Sequence, residues 1–357
     1  MLETRIEDIQ KYLNKISLAS EEKSKDIIIE GLIAEGEKAM DKYKWNEAID
    51  YFQKALTLTS GKQKAIILAR LGRSYYVTGD LNQAKENLEE SLKITREIQD
   101  PLGQATVLSN LSIVYKSKGD LDKALEYQNV ALNINRQLNN KKGEANGLGN
   151  LGIIYQIKGN LDNAFQCYED ALRIFREIGD KDGESSTLGN LGIIFQMKGY
   201  LQKALEYQEA ALNINRQIGD KEAEANAFSN LGIIYKEKGN LDKALEYQNT
   251  ALNIYRQISN KAGEASTYGN IAIIYQIKGD FNLALKYHQE SLKLNEELGG
   301  KESMAIQLNN LGTIYATMGV KEKALKYFED ALRIFTEIGA QIGIEKSKEG
   351  IKMLKGE

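Results

Sequence analysis

Residues able to carry out covalent chemistry are sparse in this chain. His288 is the single histidine and Cys167 the single cysteine. A histidine-based triad would need His288 beside a nucleophile, but at the equivalent positions of neighbouring segments the chain places Gln128, Tyr168, Gln208, Gln248 and Phe328. That column reads as packing, and His288 with it. Cys167 stands where Tyr127, Tyr207 and Tyr247 occur, so it reads as a core thiol. One cysteine excludes an intramolecular disulfide and suits a reducing compartment. No Cys/His cluster has metal-ligand spacing, and the 31 glycines form neither a phosphate loop nor a Gly-x-Gly-x-x-Gly fingerprint. No enzyme activity, metal or cofactor is therefore expected. What the chain does repeat is an amide. Asn110, Asn150, Asn190, Asn230, Asn270 and Asn310 recur at a fixed interval of 40 residues. An amide side chain both donates and accepts, which fits the backbone of an extended peptide whatever its side chains are.

The elements that position these amides follow from the period. Gly72, Ser112, Gly152, Gly192, Gly232, Ala272 and Gly312 are spaced by 40 residues, and Gly36 precedes Gly72 by 36. Eight units are expected, over 29–64, 65–104, 105–144, 145–184, 185–224, 225–264, 265–304 and 305–344. Each carries two apolar helical stripes. Leu148, Leu151, Gly152 and Tyr155 form the first stripe of one unit; Gly159 ends that helix, and Leu161, Ala164, Phe165, Tyr168, Ala171 and Leu172 form the second. Gly179 stops the second helix and Asp180 caps the next. Charges agree with this division. Lys118, Lys158, Lys198, Lys238 and Lys278 fall near first-helix ends, and Asp122, Asp162 and Asp242 near second-helix starts, as the helix dipole favours. Arg96, Arg136, Arg176, Arg216 and Arg256 form a column near second-helix ends, readable as an anion-binding strip or, more simply, as dipole complements and inter-repeat ion pairs.

The pattern Leu151, Gly152, Tyr155, Gly159, Leu161, Ala164 and Ala171, repeated across roughly residues 29–344, resembles the tetratricopeptide repeat (TPR) family. Two departures from the usual unit are visible: the proline that normally ends the second helix is missing, and Gln128, Gln208, Gln248 and His288 stand where an aromatic is expected. Both resemble the 40-residue subclass of the LGN/Pins-type cell-polarity adaptors; kinesin light chains and bacterial peptide-sensing regulators have similarly lengthened repeats. The resemblance implies an all-α, right-handed superhelical solenoid of helix-turn-helix units with a concave side lined by first helices. Closeness is expected from Gly152 set opposite Ala164 and Ala171, and neighbours must stack because one unit cannot cover its own apolar faces.

On a first helix, Asn146, Gly149, Asn150, Ile153, Gln156 and Ile157 share the face opposite the packed one. The amides therefore form a ladder on the groove floor, beside an exposed row of Ile113, Ile153, Ile193, Ile233 and Ile273. Such a row suggests apolar contacts with a ligand. Family members that bind extended peptides use asparagine at this helical position, so the resemblance implies the same role for the six here; bonding to a neighbouring helix is the alternative. Arg70 and Arg73 occupy the equivalent columns at the front, where an acidic residue of the ligand is expected. The expected partner is a protein or peptide presenting an extended, largely apolar segment. A net charge of −3 without basic blocks disfavours nucleic acid.

Residues 1–18 carry Leu2, Ile6, Ile9, Leu13 and Ile16 as an amphipathic helix, joined through a linker to residue 28, that caps the first unit, dimerises or enters the groove. Residues 345–357 complete a capping helix, and Trp45 reads as core. The amino terminus lacks the pattern of a signal peptide and no segment has the roughly 18 apolar residues of a membrane span, so a cytoplasmic scaffold is expected. Two rival functions remain: a peptide-gated conformational sensor, and a self-assembling module joined through its termini.

Overall fold

The 40-residue period becomes pairs of antiparallel helices. The computed structural model describes residues 24–42 and 44–356. The amphipathic segment of residues 1–18 lies outside the described residues. The chain divides into two compact units, Met1–Ile174 and Phe175–Glu357. The first contains α1 (residues 24–41), α2 (Trp45–Leu56), α3 (Gly61–Val77), α4 (Leu81–Glu97), α5 (Pro101–Ser117), α6 (Leu121–Gln137), α7 (Lys141–Ile157) and most of α8 (Leu161–Glu177). The second contains α9 (Lys181–Met197), α10 (Leu201–Ile218), α11 (Lys221–Glu237), α12 (Leu241–Gln257), α13 (Lys261–Lys278), α14 (Phe281–Leu298), α15 (Lys301–Thr317), α16 (Lys321–Glu337) and α17 (Gln341–Lys355). No strand occurs among the described residues. The architecture is an all-α solenoid of helix pairs.

Local sequence sets the helix ends. Asp80, Asp100, Asp120, Asn140, Asp180 and Asp220 each accept a hydrogen bond from the backbone N–H three residues on, satisfying a donor the helix leaves orphaned. Second helices stop at a left-handed residue. Gly179 has φ 70° and suits it, whereas Gln99, Asn139 and Ser259 adopt φ 55°, 52° and 57° at equivalent positions and carry the steric cost of a Cβ there.

Packing joins helices that follow one another, and in places first helices of successive pairs: α3 with α5, α9 with α11, and α11 with α13. Ala84, Ala124, Ala164, Ala204, Ala244, Ala284 and Ala324 are completely buried, as are Leu111, Leu191, Leu231 and Leu311. Each such leucine stabilises the fold by about 1.5–3 kcal/mol. The close crossing is made differently from the expectation. A Cβ on Gly152 would meet the Tyr168 ring at 2.5 Å, so the glycine makes room for the second-helix column itself and not for the alanines beside it. The same holds for Gly36 on Phe52, Gly72 on Leu88, Gly192 on Gln208, Gly232 on Gln248 and Gly312 on Phe328.

A second column alternates. Asn135, Phe175, Asn215, Tyr255, Asn295 and Phe335 lie near the ends of successive second helices. Each aromatic member rests on a glycine of the following helix: Phe175 on Gly183, Tyr255 on Gly263 and Phe335 on Gly343. The amide members face Gly143, Ala223 and Ser303 at the matching positions. Thr95 begins the column and is its smallest side chain.

Trp45, expected in the core, is half-buried at the start of α2. Cys167 is also half-buried. It replaces a ring in a series of stacked pairs, Tyr115–Tyr127, Tyr235–Tyr247 and Tyr315–Tyr327, with centroids 5.3, 5.3 and 5.5 Å apart. Burial pushes its thiol up to about 11, which keeps it protonated and unreactive at neutral pH. At the far end α17 packs on α16 and α15, with Ser347 buried and Lys348 and Lys352 turned to solvent.

Candidate functional site

Within each compact unit the open faces of the first helices carry the repeated amides. In the first unit Arg70, Asn110 and Asn150 occupy one column; in the second, Asn190, Asn230, Asn270 and Asn310 do. All are half-buried. Beside them Ile113 and Ile153, and separately Ile193, Ile233 and Ile273, are half-buried rather than exposed. Successive first helices pack on one another in places, α9 with α11 and α11 with α13, which a reading of one helix at a time does not include. More exposed apolar groups come one turn later, at Ile157, Met197 and Ile277, at 56, 53 and 57 %.

The amides are only lightly engaged. Asn230 Nδ2 donates to Gln208 Oε1 at 3.4 Å and Asn270 Nδ2 to Ser229 Oγ at 3.4 Å, near the long limit of a hydrogen bond. Among the described residues, no side-chain hydrogen bond joins Asn110, Asn150, Asn190 or Asn310 to protein. Behind them lies a second polar layer that the sequence reading took only as a departure from aromatics. Gln208 Nε2 donates to the Gly189 carbonyl at 2.9 Å and Gln248 Nε2 to the Ser229 carbonyl at 2.8 Å, both glutamines being completely buried. The signal was available: a second-helix glutamine recurs 18 residues after three of the ladder asparagines.

His288 is the fourth polar member of that layer. It is completely buried, and its Nδ1 lies 2.7 Å from Gln307 Oε1. That contact makes Nδ1 the protonated nitrogen, with Nε2 buried and unpaired among the described residues. Burial pushes the imidazole below its ordinary 6.5, outweighing the Gln307 hydrogen bond that opposes it. No nucleophile shares the hydrogen bond, so the histidine is a packing residue.

The arginine column forms ion pairs with the following helix. Arg136 Nε meets Glu144 at 2.9 Å, Arg176 meets Glu184 at 2.9 Å and Arg216 meets Glu224 at 3.0 Å. Lys181 and Lys221 add a second cation at 2.7 Å to the buried Glu184 and Glu224. Burial raises these two carboxyls, and the hydrogen bonds from lysine and arginine more than reverse it, leaving them below the ordinary range. Arg256 reaches Glu264 at 3.6 Å, so four of the five arginines are taken by structure, while Arg96 has no ion pair among the described residues. Lysines at first-helix ends reach back one repeat, Lys158 to Asp122 at 2.5 Å and Lys278 to Asp242 at 2.6 Å.

A family model for tetratricopeptide repeats matches residues 63–137, 143–217, 196–257 and 263–337. The chain belongs to the tetratricopeptide repeat family. No match was found among curated proteins. Solved structures of similar fold include BtubC (BKLC) from P. vanneervenii, 22 % identical, TM-score 0.50, with 65 % of this chain and 92 % of that one covered. The apo form of RapI is 18 % identical with a TM-score of 0.62, covering 76 % and 99 %. A Rap protein complexed with competence and sporulation factor is 13 % identical with a TM-score of 0.61, covering 92 % and 97 %. At these identities the likeness is one of fold. TPR proteins are in general protein-binding scaffolds without catalysis of their own.

The front of the first TPR unit departs from the expectation. Arg70 is ion-paired with Glu37 on α1, so its charge is already answered. Arg73 is exposed and, among the described residues, has no ion-pair partner. Both line an open cavity of about 690 Å³ between α1, α3, α4 and α5. Among the described residues no helix is long and apolar enough to cross a membrane.

Proposed function

We propose that this TPR chain is a non-catalytic scaffold that holds an extended peptide segment on the open faces of its first helices. In the first unit Asn110 and Asn150 receive the segment beside Ile113 and Ile153; in the second, Asn190, Asn230, Asn270 and Asn310 do so beside Ile193, Ile233 and Ile273. The observation that carries this reading is the half-buried amide with unused donors and acceptors, lightly held by a buried glutamine at Asn230 and free of side-chain hydrogen bonds at Asn110, Asn150, Asn190 and Asn310 among the described residues. Such groups gain from pairing with a peptide backbone because water already reaches them imperfectly. The flanking isoleucines add apolar contact that favours a segment with apolar side chains. The partner is a protein or peptide and not a nucleic acid, since a chain of net charge −3 without basic blocks offers no surface that tracks phosphates. The setting is cytoplasmic, and self-association through the termini is a further property to test. That one protein of similar fold was solved with competence and sporulation factor is compatible with this reading.

The decisive experiment is a pull-down from lysate with the intact chain beside an Asn150/Asn190/Asn230→Ala variant whose helicity matches by circular dichroism. Each lost amide contact is expected to cost about 0.5–1.5 kcal/mol, so the triple variant should bind its partner roughly tenfold or more weakly. Capture of the same proteins in the same amounts by both chains would remove the ladder from the binding site.

A further inference from the structure

We infer that the cavity of the first unit is an anchoring pocket for one apolar side chain of a bound peptide, bracketed by an acidic group that Arg73 takes and a basic group that Asp41 takes. The inference rests on the peptide-scaffold reading and gives it a fixed point along the ligand.

The cavity exists for a reason visible in the repeats. Where Phe175, Tyr255 and Phe335 cover Gly183, Gly263 and Gly343, the first member of the column is only a threonine facing Gly103. The Thr95 methyl lies 3.0 Å from where a Cβ on Gly103 would sit, and its hydroxyl is spent on the Leu92 carbonyl at 2.9 Å. Asp100 Oδ2 also comes within 2.9 Å of that Cβ position, but no aromatic ring lies beside Gly103. The resulting space, about 690 Å³, is within the range of about 300–1,000 Å³ typical of small-ligand clefts. Ala65, Ser91 and Val107 form buried parts of its lining, and Ile66 and Leu102 stand exposed in it at 41 and 51 %. Exposed branched side chains beside an apolar floor are what an incoming leucine or phenylalanine would cover.

The charges select what flanks that side chain. Four of the charged groups lining the cavity answer one another: Arg70 pairs with Glu37, and Lys62 with Asp100 at 3.3 Å. Arg73 on α3 and Asp41 on α1 remain, and among the described residues neither has an ion pair or a side-chain hydrogen bond. A pocket with one unanswered charge of each sign favours a short segment carrying both over a simply acidic or basic one.

The test uses the full chain and immobilised heptapeptides of glycine and serine with a central Leu or Phe flanked by Glu and Lys. Control peptides carry Ala at the centre, or Gln in place of Glu or of Lys. Retention should fall about tenfold when the centre becomes Ala, because the buried apolar group is lost. Thr95→Phe should abolish the preference for Leu or Phe over Ala. That variant reproduces a pairing the chain already makes at Phe175 and Gly183, so its melting temperature should hold or rise. Arg73→Gln should erase the distinction between Glu and Gln peptides, and Asp41→Asn that between Lys and Gln peptides. Unchanged selectivity in Thr95→Phe, with binding still lost in Asn150/Asn190/Asn230→Ala, would overturn the pocket while leaving the scaffold reading intact. No retention of any peptide by the parent chain would overturn the pocket. Binding that emerges only after removal of residues 1–18 would assign the cavity to the chain's own leading segment and overturn the proposal as stated.

Discussion

At the scale of single residues, the buried polar layer sets the chain's response to acid. His288 is neutral when folded, and its folded pKa lies below the unfolded value near 6.5. The unfolded chain therefore binds the proton first, and the stability contributed by the neutral ring is present above about pH 6.5 and is lost as pH falls below it. His288→Gln should flatten the decline in melting temperature between about pH 6.5 and 5, since glutamine already fills this column at Gln128, Gln208 and Gln248. Differential scanning fluorimetry across that range checks it; an equal decline in both proteins would show that His288 is not the titrating group. This role was legible in the sequence because the column could be compared across repeats. Two other residues were not legible. Arg70 meets Glu37 across the front of the chain, where the spacing slips to 36 and no neighbouring repeat supplies a template. The half-burial of the isoleucine row escaped a helical wheel, which knows the face of one helix but not how closely the next helix lies.

At the scale of elements, glycines of one residue type do opposite things. Gly152 sits where a Cβ would strike the Tyr168 ring at 2.5 Å, whereas Gly149, one turn earlier, has nothing within 4 Å. Gly152→Ala should cost about 1–3 kcal/mol through overpacking. Gly149→Ala should stabilise by about 0.5–1 kcal/mol, because a mid-helix glycine only adds freedom to the unfolded chain. Urea denaturation of both variants checks the pair, and equal effects would refute the distinction. Helix number, order and ends were readable from periodicity, caps and glycines, since those signals are local. The identity of the group facing Gly152 was not, because Tyr168, Ala164 and Ala171 all lie on the stripe that faces α7 and only coordinates rank their distances. The cavity was harder still. A void has no residue of its own and is seen only by noticing that Thr95 heads a column whose later members are Asn, Phe or Tyr.

At the scale of the whole molecule, the alternating column limits how the array can be rebuilt. Deleting residues 180–219 would bring Phe175 against Ala223, where a ring would meet a methyl group in a site that elsewhere requires glycine. Deleting residues 180–259 would bring Phe175 against Gly263 and restore the native pairing. The shorter deletion should therefore melt at the lower temperature, by an amount corresponding to about 1–3 kcal/mol at the new junction, despite removing fewer helices. Circular dichroism melts of the two proteins compare them directly. If the shorter deletion were the more stable, the ring–glycine fit would have no bearing on stacking. Unequal recombination between copies in the gene would meet the same filter: a junction that sets a ring on Ala223 or Ser303 leaves a scar, and one that sets it on a glycine leaves the seam sound. An array of near-copies still has an order.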